Sequence, residues 1–138
     1  MKADNCIFCK LANGVFPTNS IYEDENFNVI LDVSPATKGH ALILPKEHYA
    51  NIYEIPSELL AEAVKVAQKV IKHVTPILGC DGYNLLQNNG EAAGQTVFHF
   101  HLHLIPRYAE EENGEILSWK PTTMSEEALK QLKEQMQL

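Results

Sequence analysis

The segment Phe98-His99-Phe100-His101-Leu102-His103-Leu104 constrains this chain more than any other. Successive side chains of an extended strand point to opposite faces, so the three histidines share one face while Phe98, Phe100, Leu102 and Leu104 enter a core on the other. The alternation predicts a strand over 97–105 with one buried side. A solvated strand face is normally built from Lys, Glu or Thr, and half of the chain's six histidines lie here. Two chemistries suit such a face. Imidazoles two residues apart can converge on one metal ion. A neutral imidazole can also act as a nucleophile toward phosphorus while its neighbours hold its tautomer.

The residues before the strand favour a phosphate ligand. Asn88-Asn89-Gly90-Glu91-Ala92-Ala93-Gly94 is a polar loop with two glycines, and Gln95-Thr96 follow. The loop brings backbone N–H groups, an amide and a hydroxyl, uncharged donors suited to phosphate oxygens. Taken alone, Asn88-Asn89-Gly90 is a plain hairpin turn; beside three aligned histidines it points to phosphate.

The rest of the chain reads as an α+β domain spanning 1–138, with a C-terminal tail over about 109–138. A short helix reaches about Ala12. Strands are expected over 21–23, 27–33, 40–44 and 82–87, and one long helix from an N-cap at Ser57 to about Leu78, with Gly79 beyond its end. Its apolar stripe includes Leu60, Val64, Ala67 and Ile71. Ser125 caps a last short helix carrying Leu129, Leu132 and Met136. Short connections imply an antiparallel five-stranded sheet with the long helix on one face.

Charge narrows the partners. Eleven Lys and Arg against 18 Asp and Glu give −7, and six protonated histidines would still leave −1. A nucleic-acid polymer requires a basic footprint, whereas one small phosphate ligand needs only a local pocket. Seven of the acids but only three lysines lie from Ala109 onward, the run Glu110-Glu111-Glu112 among them. No apolar run approaches a membrane span, and three cysteines do not make a disulfide scaffold. The expectation is a cytoplasmic protein without a membrane partner. There, Cys6-Ile7-Phe8-Cys9 is half of a tetrahedral zinc site or a redox pair. Only five residues precede Cys6, too few for the strand that opens a thioredoxin-like motif. Cys80 reads as a small buried hydrophobe.

The triad segment, preceded by Gly94-Gln95-Thr96, resembles the His-φ-His-φ-His-φ-φ motif of the histidine triad (HIT) family. Cys6-Ile7-Phe8-Cys9-Lys10, Leu31-Asp32-Val33-Ser34-Pro35, the run from Gly39 to His48 and Trp119 match its other landmarks in order. The resemblance implies a nucleotide hydrolase or nucleotidyl transferase acting on the α-phosphate of nucleoside phosphoramidates or dinucleoside polyphosphates. His101 would attack and carry the nucleotide, His103 would assist, and His40 would stand nearby. Asn88, Gln95 and Thr96 would contact phosphate, Asp32 the ribose, and Phe8, Phe16 and Val33 the base, a purine by family habit. The bacterial type implies a structural Zn²⁺ on Cys6, Cys9, His48 and His99, and a homodimer. Two rival readings are a zinc hydrolase with the triad as ligands and a nucleotide-binding module without turnover.

Overall fold

Alternation of large apolar residues on both sides of the strands requires cover on both faces of the sheet, and two helices provide it. The computed structural model describes residues 3–111 and 117–138; Glu112 of the acidic run lies outside them. Helix α1 (Ile7–Ala12) precedes strands β1 (Ser20–Glu23), β2 (Phe27–Leu31) and β3 (Ala41–Pro45). Helix α2 (Ser57–Leu78), strands β4 (Gly82–Leu86) and β5 (Leu102–Arg107), and helix α3 (Glu126–Met136) follow. The five strands form one sheet in the order β1-β2-β3-β5-β4, and every neighbouring pair is antiparallel. The class is α+β, as expected.

Residues two apart sort the core. Phe27, Val29, Ala41, Ile43, Leu102 and Leu104 pack against Ala63, Val66, Ala67 and Val70 of α2. Ile30, Leu42 and Leu44 point the other way, onto Ala12, with Phe8 and Leu11 beside them. A helix as short as α1 has no stability of its own and is held by this burial. The register places Ile30, Leu42, His103 and Leu86 directly opposite one another across β2, β3, β5 and β4. One triad histidine therefore stands in an apolar row on the α1 face.

Several expected boundaries moved. β5 begins at Leu102, so the residues from Val97 to His101 are not part of the ladder. Phe100 N–H instead donates to the Tyr49 carbonyl at 2.6 Å, and the chain bends away from the neighbouring strand. The bend leaves Phe98 44% exposed while Phe100 is buried. Ser57 is the first residue of α2 and not its cap; Pro56 holds the cap position without a side-chain bond. The C-terminal end of α2 is where expected: the helix runs through Pro76 to Leu78, and Gly79 caps it in the left-handed region (φ 68°). The polar loop contains a single 3₁₀ turn, Glu91–Ala93, closed by Gly94 at φ 92°.

Gly39 is a more demanding position. Its φ is +92°, and a Cβ there would lie 2.6 Å from Leu78 Cδ1 and 3.3 Å from Pro106 Cγ. Gly39→Ala is expected to destabilise the fold by about 2–4 kcal/mol, from left-handed strain and overpacking together. Urea unfolding measures this; a loss within 0.5 kcal/mol, roughly the noise of a surface change, would contradict it.

Candidate active site and metal centre

A cavity of about 680 Å³ opens on the α1 face of the sheet, within the size range of small-molecule sites. The apolar row of Ile30, Leu42 and Leu86 lines it together with His103. Phe8 and Leu11 of α1 form another part of its wall, and Asp32, His40, His101, Asn88 and Thr96 bring polar groups to it. The lining thus combines apolar side chains with donors and imidazoles, a mixture that suits a base and a phosphate.

The hydrogen bonds assign the ring protons. A carbonyl can only accept, so the 2.7 Å contact between His101 Nδ1 and the His99 carbonyl puts the proton on Nδ1. His101 Nε2 is left with its lone pair. Ala36 N–H donates to His40 Nδ1 at 2.9 Å, which places the His40 proton on Nε2. That N–H faces His103 Nδ1 at 3.0 Å and donates to it. His103 therefore carries its own proton on Nε2. Two imidazoles whose centroids are 4.9 Å apart thus offer opposite functions, a lone pair from His101 and a donor from His103.

Burial keeps these rings neutral. Desolvation lowers the His101 pKa, against the His99 carbonyl bond and the Asp32 charge, which raise it. His103 is pushed down to about 4, by desolvation first and then by His101 and His40. His40 is lowered by desolvation, opposed by Asp32, whose Oδ2 lies 3.7 Å from its Nε2. An imidazole neutral in the fold protonates on unfolding, so between about 4 and the ordinary 6.5 the unfolded chain binds more protons. This contribution to stability is complete above pH 6.5 and falls as the pH drops toward 4. Denaturation midpoints should decline across that window, and His103→Asn should flatten the decline; an equal slope in both proteins would contradict the assignment.

Cys6, Cys9, His48 and His99 form a second cluster, with one donor atom of each within 4.8 Å of the others. Cys6 is the N-cap of α1, and its sulfur accepts from Cys9 N–H at 3.3 Å, which folds both sulfurs to one side. His48 Nδ1 lies 3.3 Å from Cys9 Sγ. His99 Nδ1 lies 3.4 Å from Cys6 Sγ and 3.4 Å from Cys9 Sγ. Sulfur and nitrogen ligands at 2.3 and 2.0–2.1 Å from a tetrahedral ion stand about 3.5 Å apart, so the spacing fits zinc. The proton of His99 is on Nε2, which donates to the Pro45 carbonyl at 2.9 Å, leaving Nδ1 free to ligate. Desolvation pushes the His99 pKa down to about 4 and raises the Cys9 thiol. The cluster can hold a metal ion.

Asp32, His40 and His103 form another group with donor atoms within 4.8 Å, but they lack the same readiness. The nitrogens that would ligate already share the His40 proton, and freeing His40 Nε2 breaks the Ala36 bond. The three triad histidines do not gather around one point either: among the described residues, His99 groups with the cysteines and His103 with Asp32.

Two residues expected to touch the ligand do not line the cavity. Phe16 is 42% exposed, and the Lys10 ammonium lies over its ring at 5.5 Å. Gln95 is buried, with Oε1 accepting from Gly90 N–H and both amide hydrogens donated to the Ala50 and Val97 carbonyls. It ties the loop at Gly90 to the Ala50 and Val97 carbonyls. Val33 reaches the cavity rim, although 91% exposed. Thr18 and Asn19 also line the cavity; no motif singled them out. Nor was there a signal for Ala36, Pro45 and Tyr49, which act through backbone atoms that any residue possesses.

Residues 13–110 match the family model described as HIT domain. An uncharacterized HIT-like protein of Methanocaldococcus jannaschii is 46% identical over 114 residues, covering 83% of this chain and 86% of the relative. The adenosine 5'-monophosphoramidase of Schizosaccharomyces pombe is 39% identical over 132 residues, 96% of each chain. A crystal structure of a HIT family protein from Bacillus anthracis superposes with TM-score 0.87 at 42% identity, covering 98% of this chain and 96% of that one. With the triad, the sheet and these matches in agreement, the chain belongs to the HIT family.

Proposed function

We propose that this chain is a nucleotide hydrolase or nucleotidyl transferase that attacks the α-phosphate of nucleoside phosphoramidates or dinucleoside polyphosphates through His101. The observation that carries the reading is the proton arrangement: His101 Nε2 is a lone pair in the cavity, and His103 Nε2–H is a donor beside it. The activity named for the fission-yeast relative supports a phosphoramidate substrate.

In the first half-reaction His101 Nε2 forms a bond to phosphorus, and the bond from phosphorus to the leaving group breaks. The leaving group takes the bonding pair; a phosphoramidate nitrogen that has first taken up a proton from solvent departs as the neutral amine. The ring becomes positive, and its Nδ1–H bond to the His99 carbonyl strengthens as it does. His103 Nε2–H donates to a phosphate oxygen or to the departing atom. His40 is a positioning residue, holding the His103 proton on the cavity side. Asn88 and Thr96 contact phosphate, with Gln95 keeping their loop in place. Asp32, whose Oδ1 accepts from Ser34 N–H at 2.8 Å, takes the ribose hydroxyls on its other oxygen. Phe8 and Val33 border the purine. Water then attacks phosphorus and gives up one proton to solvent, the Nε2–P bond breaks with its pair returning to Nε2, and the ring regains its starting tautomer. Splitting one displacement into two avoids a poor direct attack by water.

Cys6, Cys9, His48 and His99 would hold a structural zinc, whose binding would supply folding energy and not activated water. The working unit is a homodimer of single-domain chains. A panel of nucleoside phosphoramidates and dinucleoside polyphosphates, quenched before steady state, should trap an acid-labile nucleotidyl adduct on His101. Turnover without any adduct would favour metal-activated water; binding without turnover would favour a sensing module.

A further inference from the structure

The peptide unit between His99 and Phe100 lies outside the strand ladder. Its oxygen accepts from His101 Nδ1–H at 2.7 Å, and its N–H donates to the Tyr49 carbonyl at 2.6 Å. Both anchors of this plane adjoin the metal-binding cluster. His99 is a member of it, and Tyr49 is bonded to His48, another member. The contact on the other part of the His101 ring has the same origin. Phe8 meets that ring edge-on, with centroids 4.9 Å apart and planes at 87°, and Phe8 is bonded to Cys9. Three segments distant in sequence thus hold His101: α1, the chain after β3, and the approach to β5. The four donors bring those three segments together at one point.

We infer that the Cys6, Cys9, His48 and His99 cluster is a positioning device for the nucleophile: closing these donors on one ion holds the His99–Phe100 peptide plane and the Phe8 ring, and through them the orientation and Nδ1–H tautomer of His101. The inference rests on the function proposed above. A neutral imidazole has two tautomers, and only the one with its proton on Nδ1 leaves a lone pair on Nε2. Without the ion, the approach to β5 keeps the Phe100 bond and the Pro45 bond, and α1 keeps its Asn13 bond to the Lys46 carbonyl, but the two sulfurs and two imidazoles no longer close on a shared point. The His99–Phe100 plane is then fixed at the Phe100 bond without the constraint of the closed cluster on either side of it, and a population of His101 with its proton on Nε2 cannot attack. Phe8 shares α1 with the cluster, but Asp32, Asn88 and Thr96 stand on other segments, so the ribose and phosphate contacts are affected less than the chemistry.

The full chain should be compared zinc-loaded, stripped by chelator under a thiol reductant, and reloaded with Zn²⁺. Long-range ¹⁵N–¹H correlations of the His101 ring read the tautomer directly, whether or not the nucleotide reaction proceeds. The loaded protein is expected to show one tautomer with the proton on Nδ1, and the stripped protein a mixture. In parallel, kcat on adenosine phosphoramidate should fall about 10- to 100-fold, the scale of lost outer-shell orientation, while KM rises by a smaller factor, since Phe8 alone of the assigned ligand contacts stands beside the cluster. Reloading should restore both. A stripped, folded chain with the same single tautomer and undiminished kcat overturns the inference and leaves the proposed function standing. If the stripped chain loses its far-ultraviolet dichroism, His48→Cys decides: it keeps four donors while shifting the Tyr49 carbonyl. Reduced kcat with mixed tautomers in that zinc-loaded variant supports the inference, and wild-type values overturn it. A loaded wild-type protein that forms no adduct refutes the proposed function, while its tautomer response to stripping still decides the metal coupling.

Discussion

His101→Ala should lower kcat/KM on an adenosine phosphoramidate by about 10³-fold or more, with no nucleotidyl adduct detectable after rapid acid quench. The size follows from the two-step route. Without Nε2 there is no covalent intermediate, and what remains is binding plus whatever His103 and the phosphate loop do for direct attack by water. His103→Ala removes only a donor, and the expected loss is about 10²–10⁴, with adduct still trapped at a reduced rate. The two variants therefore separate nucleophile from donor by the adduct and not by rate alone. Removal of the His101 imidazole leaves a gap beside Phe8 and His103, so the folded state must be checked by dichroism. Retention of full activity in folded His101→Ala would exclude the mechanism outright.

Cys9→Ser should reduce zinc from about one ion per chain to a small fraction and cost on the order of 5 kcal/mol of stability. Cys9 is buried, and its sulfur stands within 3.3–3.4 Å of both histidine nitrogens. A hydroxyl there is a poor zinc ligand and has a different reach. Metal held by the folded chain and not by the unfolded one contributes its binding energy to folding, about 10–16 kcal/mol in small zinc domains. This chain also has a hydrophobic core, so only part of its stability depends on the metal. At roughly 3–5 °C per kcal/mol for a chain of this size, the melting temperature should fall on the order of 15 °C or more. Cys80→Ser is the control: Cys80 is buried apart from the cluster and should leave metal content unchanged. Undiminished zinc in Cys9→Ser and His48→Ala alike would rule out the assigned donors.

Much of the site was legible along the chain because its residues report by type. Three imidazoles at alternate positions are rare on a solvated strand, and a Cys-x-x-Cys pair supplies half of a tetrahedral metal site. The strand 97–105 was less legible. Alternation predicted a ladder across its whole length, but the Phe100–Tyr49 bond draws the first part away, a long-range backbone contact with no residue preference. Gln95 shows the same limit at one side chain. An amide before the triad suits a phosphate, yet its hydrogens are taken by Ala50 and Val97. Phe16 has the composition of a base-pocket residue, but the chain carries it to the surface under Lys10.

By itself the sequence determined the α+β class, the antiparallel sheet and the order of the elements, and it singled out the histidines and the cysteine pair as the candidate reactive groups. Strand period, helix stripe and side-chain chemistry are local properties, and local properties are written in the order of residues. Only the tertiary structure decided how the triad is divided, with His99 turned to the cysteines and His101 and His103 to the cavity. It also decided where each ring proton lies. Those outcomes depend on the backbone groups of Ala36, Pro45, Tyr49 and His99. Every residue carries such a carbonyl, and every residue but proline such an N–H, so only the fold can say which of them meets an imidazole.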